Sequence, residues 1–191
     1  MTVESASGVT RRGLIGAFAA SAAIAMPGYA NAFSLFSRSR SGDVRRLKMY
    51  SGRTGESIDT IYWIEGDYIP EALQEIHYFM RDWRNDEVKR VDHRTIDFLA
   101  AVQQLLEVNE PYMLLSGYRS PQTNRMLRSR SRNVAENSLH LTGEAADVRL
   151  KSRSVAQMAA AARACRAGGV GRYSRSDFVH LDCGPVRSWG S

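Results

Sequence analysis

Two short segments of this chain concentrate the residue types that hold a metal ion. The first is Ser138-Leu139-His140-Leu141-Thr142-Gly143-Glu144-Ala145-Ala146-Asp147. His140 can offer a neutral imidazole nitrogen and Asp147 a carboxylate oxygen. Gly143 permits a tight bend between them, and Ala145 and Ala146 permit close approach. From Asp147 the polarity alternates, so Asp147 and Arg149 share one strand face while Ala146, Val148 and Leu150 share the other. The second segment is Asp177-Phe178-Val179-His180-Leu181-Asp182-Cys183. Its alternation puts His180 and Asp182 on one face, with Val179, Leu181 and Cys183 opposite. Two histidines and one carboxylate form a three-ligand set suited to Zn2+, which in catalytic sites keeps a fourth position open to water. A water so held becomes a nucleophile near neutral pH. The other histidines, His77 and His93, fall in or beside helical patterns and read as structural.

The elements that must position these residues are legible from periodicity. Arg46 to Tyr50 alternates, Ser51 to Gly55 supplies turn residues, and Ile58 to Ile64 is rich in β-branched and aromatic residues, so the three predict a hairpin. Pro70 suits the first turn of a helix, and Ala72, Leu73, Ile76, Phe79 and Met80 recur at helical spacing. A second helix is expected over about His93 to Leu106, a buried strand over Tyr112 to Leu115, and a helix after Pro121. Ala145 to Leu150 reads as a strand and Val155 to Ala167 as a helix. Strands near Val170–Tyr173 and Phe178–Cys183 follow. A hairpin, a block of helices and later strands predict a single α+β domain with a mainly antiparallel sheet flanked by helices, the metal site lying in a cleft on that sheet.

Ahead of the domain, Arg11-Arg12 opens a weakly apolar, alanine-rich run that ends at Pro27-Gly28, and Ala30-Asn31-Ala32 supplies a small-x-small cleavage site. Residues 1–32 thus resemble a twin-arginine export signal. Its removal takes Glu4, Arg11 and Arg12 and lowers the net charge from +6 to +5. Residues 33–44, rich in Ser and Arg, read as a linker, and the domain is expected over 45–191. No apolar stretch reaches the roughly 20 residues that span a bilayer. The positive charge suits an anionic partner, but no nucleic-acid-binding motif accompanies it and export argues against one. Cys165 and Cys183 are compatible with one disulfide and with no C-x-x-C chemistry.

Residues Ser138 to Asp147 match in full the S-x-H-x-x-G-x-A-x-D motif of the zinc D-Ala-D-Ala peptidase family, and Phe178-Val179-His180 falls where that family has its third ligand. Ser116-Gly117-Tyr118-Arg119-Ser120 resembles the family's strand-end arginine. With Arg53-Thr54-Gly55-Glu56, Arg81-Asp82-Trp83-Arg84 and Ala167-Gly168-Gly169-Val170-Gly171, the chain from roughly Arg45 to Trp189 resembles the exported murein endopeptidase branch. The resemblance implies that His140, Asp147 and His180 bind zinc and that Arg119 anchors substrate or stabilises the oxyanion. Much of the family has a Glu three residues before the last histidine. Here Asp177 stands there, and it competes as general base with Asp182, which shares the face of His180. The implied activity is hydrolysis of peptide cross-links in peptidoglycan, with peptide stems as partners, by a monomer in the periplasm or cell envelope. A carboxypeptidase trimming a terminal D-residue and a non-catalytic peptidoglycan-binding module are the alternatives. Arg125, Arg128, Arg130 and Arg132 read as a solvated basic loop.

Overall fold

A computed structural model describes residues 43–131 and 134–190; the expected leader over 1–32, and all but the last two residues of the expected linker, lie outside the described residues. The hairpin forms as its alternation dictates. β1 (Val44–Tyr50) pairs antiparallel with β2 (Ser57–Ile64), with Met49 opposite Ile58 and Leu47 opposite Thr60. The Ser51 hydroxyl accepts from the Thr54 N–H at 3.2 Å and so closes the intervening turn. The remaining strands are β3 (Asp67–Tyr68), β4 (Tyr112–Ser116), β5 (Ala145–Arg149), β6 (Gly169–Tyr173), β7 (Phe178–Asp182) and β8 (Arg187–Gly190). They make one sheet in the order β3-β2-β1-β4-β5-β7-β6-β8. Only the β1–β4 and β6–β8 pairings are parallel, so the domain is α+β with a mainly antiparallel sheet. The short strands β3 and β8 carry too little periodicity to be read from the sequence.

Among the described residues four α-helices complete the domain: α1 (Pro70–Phe79), α2 (His93–Leu105), α3 (Pro121–Arg130) and α4 (Val155–Cys165). The last three begin on side-chain caps, with Asp92 accepting from Arg94 N–H, Ser120 from Thr123 N–H and Ser154 from Gln157 N–H. Such caps contribute about 1 kcal/mol each. Helix residues Ile76, Ile96, Leu99, Met158 and Ala162 join strand residues Leu47, Tyr62, Tyr112, Ala146, Val148, Val179 and Leu181 in one buried core. Because neighbours along a strand alternate, burying Ala146, Val148, Val179 and Leu181 leaves Asp147 and His180 on the opposite face. Among the described residues no helix is long and apolar enough to cross a membrane.

Two buried polar clusters brace this frame. Arg45 takes the core side of β1 and pairs with Asp97 on α2 at 2.9 Å, while the hydroxyls of Tyr62 and Tyr68 donate to the same carboxylate at 2.9 and 2.6 Å. Asp82, 1% exposed, accepts from the N–H and hydroxyl of Ser120 at 2.9 and 2.7 Å and from the Arg84 N–H at 3.2 Å. The loop after α1 is thereby tied to the segment that follows β4. The disulfide that the two cysteines could have formed is not present: Cys165 and Cys183 are both buried free thiols. Cys165 belongs to the α4 core, where burial pushes its thiol up to about 11, whereas Cys183 meets Thr95 and Arg94 at the start of α2.

Candidate functional site

His140 stands on a 3-10 turn, Leu139–Thr142, that enters β5. Ser138 caps the turn by accepting from the His140 N–H, and Gly143 leaves it at φ 76°. A Cβ on Gly143 would lie 2.3 Å from the Arg90 carbonyl oxygen, and the Gly143 carbonyl accepts from the Asp92 N–H at 2.9 Å. Both the conformation and the close approach require glycine here. The bend delivers Asp147 to β5, directly across from His180 on β7 in the strand register.

The candidate ligand atoms converge. His180 Nδ1 is 2.8 Å from Asp147 Oδ1, and His140 Nε2 is 3.2 Å from both Asp147 Oδ2 and His180 Nδ1. One nitrogen from each imidazole and a carboxylate oxygen therefore lie within 4.8 Å of one another, the donor set that suits a divalent cation such as Zn2+. Each ring is aimed by its other nitrogen. His140 Nδ1 donates to the Gly117 carbonyl at 2.7 Å, which leaves Nε2 as the lone-pair nitrogen. His180 Nε2 donates to Asp182 Oδ2 at 3.0 Å, which turns Nδ1 toward Asp147. Outer hydrogen bonds of this kind fix ring orientation and tautomer in metal sites.

The electrostatics agree with that arrangement. Burial opposes ionisation of Asp147, but the charge and hydrogen bonding of His140 and His180 outweigh it and hold the carboxyl well below the usual range. Burial lowers the pKa of His140, so its imidazole is neutral. Burial also opposes charge on His180, yet the hydrogen bonds and charges of Asp147 and Asp182 prevail and push it up to about 9.

Arg119, 8% exposed, follows β4. Its N–H donates to the His140 carbonyl at 3.0 Å. Its guanidinium lies 3.5 Å from Asp147 Oδ2 and donates to Asn124 Oδ1 at 3.2 Å, while its buried Nε has no partner. Burial is the main influence on this group and lowers its pKa, against the charges of Asp147, Asp82 and Tyr173.

A cavity of about 420 Å³ opens over these side chains, with Arg119, His140, Asp147 and His180 on one side and Tyr173, Phe178 and Trp189 among its walls. Tyr173 stacks on Phe178 at 4.5 Å, and Trp189 lies 5.3 Å from the His180 ring and donates through Nε1 to the Tyr173 hydroxyl at 3.0 Å. Trp189 and Arg187 could not be read as site residues from sequence, because both ride on the four-residue β8.

The two acids expected near the site are placed differently. Asp182 is fully buried behind His180. Its oxygens accept from both Arg187 guanidinium nitrogens at 2.9 and 2.8 Å, from the Gly184 N–H at 3.0 Å and from the Gly169 N–H at 3.3 Å, besides His180. Burial raises its pKa, but these hydrogen bonds hold it down at about 2. Asp177 sits at φ 53° between a 3-10 turn and β7. It is exposed and paired with Arg149 at 3.2 Å, outside the cavity lining. Among the described residues that line the cavity, Asp147 is the one carboxylate.

Comparison with known proteins identifies a family for the chain. A family model described as Peptidoglycan L,D-endopeptidase MepK matches residues 39–189. The chain is 43% identical over 145 residues to peptidoglycan L,D-endopeptidase MepK of Escherichia coli (strain K12), an alignment that covers 76% of this chain and 80% of that protein. The same figures hold for the protein of that name from Shigella flexneri. Identity is 36% over 146 residues to the probable peptidoglycan L,D-endopeptidase MepK of Haemophilus influenzae, covering 76% of this chain and 78% of the relative. With nearly the whole described domain matched, the chain belongs to the peptidoglycan L,D-endopeptidase MepK family.

Proposed function

We propose that the protein is a zinc-dependent murein endopeptidase that hydrolyses peptide cross-links of peptidoglycan. The observation that carries this reading is the convergence of His140 Nε2, Asp147 Oδ1 and Oδ2 and His180 Nδ1 beside the Arg119 guanidinium, at the floor of one cavity. Membership of the family supports the substrate class, since the named relatives are peptidoglycan L,D-endopeptidases.

His140, Asp147 and His180 would hold the metal, and a divalent cation there supplies Lewis acidity toward a peptide carbonyl and a water. The remaining work falls to the protein. Arg119 presents a fixed guanidinium whose Nε has no protein partner, and a donor of that kind stabilises the oxyanion that develops as the scissile carbonyl becomes tetrahedral. Tyr173, Phe178 and Trp189 form an apolar wall that orients the stem and excludes water. Asp182 has every lone pair engaged by donors, so in this reading it orients His180 and takes no proton. The water's proton is assigned to Asp177, which would pass it on to the leaving amine. Its pair with Arg149 is exposed and worth at most about 1 kcal/mol, and both its neighbours, Ser176 and Phe178, line the cavity. Action on the wall also implies the periplasm or cell envelope, which the twin-arginine-type leader at 1–32 would serve.

The test is to incubate the metal-loaded protein with purified cross-linked muropeptide dimers. Release of monomers is expected. Release of single amino acids would make the protein a carboxypeptidase, and binding without any product would make it a wall-binding module.

A further inference from the structure

The Arg81-Asp82-Trp83-Arg84 stretch has a feature that the hydrolytic machinery leaves unexplained. The Arg84 guanidinium carbon lies 4.1 Å from the centre of the Trp83 ring, and that of Arg53, from the turn after β1, lies 5.5 Å from it. Two cations thus meet on one indole. The carboxylates around them are committed elsewhere. Glu56 and Asp86 pair with Arg81 at 3.0 and 2.9 Å, Asp82 holds Ser120, and Glu87 accepts from the Tyr118 hydroxyl at 2.5 Å. Among the described residues no carboxylate pairs with Arg53 or Arg84. Trp83 Nε1 is likewise buried without a partner.

Like charges gathered on a partly desolvated surface repel one another unless an anion joins them. Burial lowers the pKa of Arg84; the Asp82 charge opposes that, and the charges of Arg119, Arg53 and Arg130 add to it. The Arg84 backbone is also held in place. One Asp82 oxygen accepts from the Arg84 N–H and the other from Ser120, the residue after Arg119. Arg84 is therefore braced against the segment whose arginine touches Asp147.

We propose that Arg53 and Arg84, seated on Trp83, form a subsite for a free carboxylate of the substrate's peptide stem, on the Arg119 side of the metal ligands. A guanidinium suits a carboxylate because its planar donors match the two oxygens. The proposal rests on the endopeptidase reading above.

The experiment compares two probes: a cross-linked stem dimer with free carboxylates, and the same dimer with those carboxylates converted to primary amides. The wild type should cleave both, with KM for the free acid lower by about tenfold. Arg84→Gln and Arg53→Gln should raise KM for the free acid toward the amide value, leave KM for the amide in place, and change kcat little. Arg84→Lys should keep part of the preference. Circular dichroism and metal content of the variants show whether they remain folded. Equal KM for both probes in the wild type would overturn the subsite. So would a variant that raises both KM values together, or one that loses only salt-sensitive attachment to whole wall. If the wild type cleaves neither dimer, the endopeptidase reading itself fails.

Discussion

His180 lies between two carboxylates, with Nδ1 2.8 Å from Asp147 and Nε2 3.0 Å from Asp182. One of them faces the cavity and the other is buried behind the ring and neutralised by Arg187. The ring therefore has one nitrogen to offer a ligand and one committed to the protein.

That division separates the roles of two acids. Asp182→Asn should weaken metal binding by about 10- to 100-fold through loss of ring orientation and basicity, read by competition with a chelator. Asp177→Asn should leave metal affinity unchanged and lower kcat by about 100-fold or more. Full activity in the Asp177 variant would remove that residue from proton transfer, and an unchanged zinc affinity in the Asp182 variant would remove its positioning role.

In the proposed metal site, protons would compete with the cation at His180. Its pKa in the metal-free protein is raised from 6.5 to about 9, so Nδ1 is protonated near neutral pH and must lose that proton to bind metal. Uptake at about pH 7.5 should release close to one proton per ion, falling toward none above about pH 9. Calorimetry in buffers of different ionisation enthalpy measures this directly. The sign for stability is the reverse. In the metal-free protein the His180 contribution is fully present below about 6.5 and is lost as pH rises through about 9. A proton release that does not change over this range would contradict the arrangement.

Arg119→Ala tests the oxyanion assignment. Loss of one such donor typically costs about 10²–10³ in kcat, and the metal ligands stay in place because His140 and Asp147 do not depend on the guanidinium for their mutual contact. Steady-state kinetics should show the loss in kcat, with KM changed much less. A variant whose KM alone rises would make Arg119 a ground-state anchor.

Asp82→Asn tests the tie between the loop after α1 and the segment after β4. Hydrogen bonds to a buried charge contribute about 1.5–3 kcal/mol each, and Asp82 makes several, so denaturant unfolding should show a loss of at least about 2 kcal/mol. Burial would raise the Asp82 pKa, but hydrogen bonds from Thr123 and Ser120 lower it below 3.8. Its contribution is present above that value and lost as pH falls through the folded-state pKa. The variant should accordingly lose less stability than the wild type on acidification.

Much of this is legible in the amino-acid sequence. The alternation around Asp147 and His180 placed both side chains on one sheet face, and α1 and α2 begin at the residues that their signals mark, Pro70 and His93. Other parts were hidden for physical reasons. Asp177 takes a left-handed conformation that breaks the strand just before Phe178, so counting alternate residues could not say where it points. Asp182 lies on the expected face of His180, but its saturation by Arg187 depends on β8, a strand too short to show a period. Arg45 lies just before the alternation read from Arg46 and is buried against Asp97, a long-range pairing that no local pattern encodes. The sequence left the pairing of Cys165 and Cys183 open, and the neighbours of Cys183 come from the start of α2.

The register of β5 on β7 sets Asp147 directly opposite His180. Sliding one strand past the other by a single residue would bring Val179 or Leu181 across from Asp147 and turn the imidazole into the core. If the proposed zinc site is right, metal uptake would report on sheet alignment, and a chain that folds out of step would be recognisable by its inability to retain the ion.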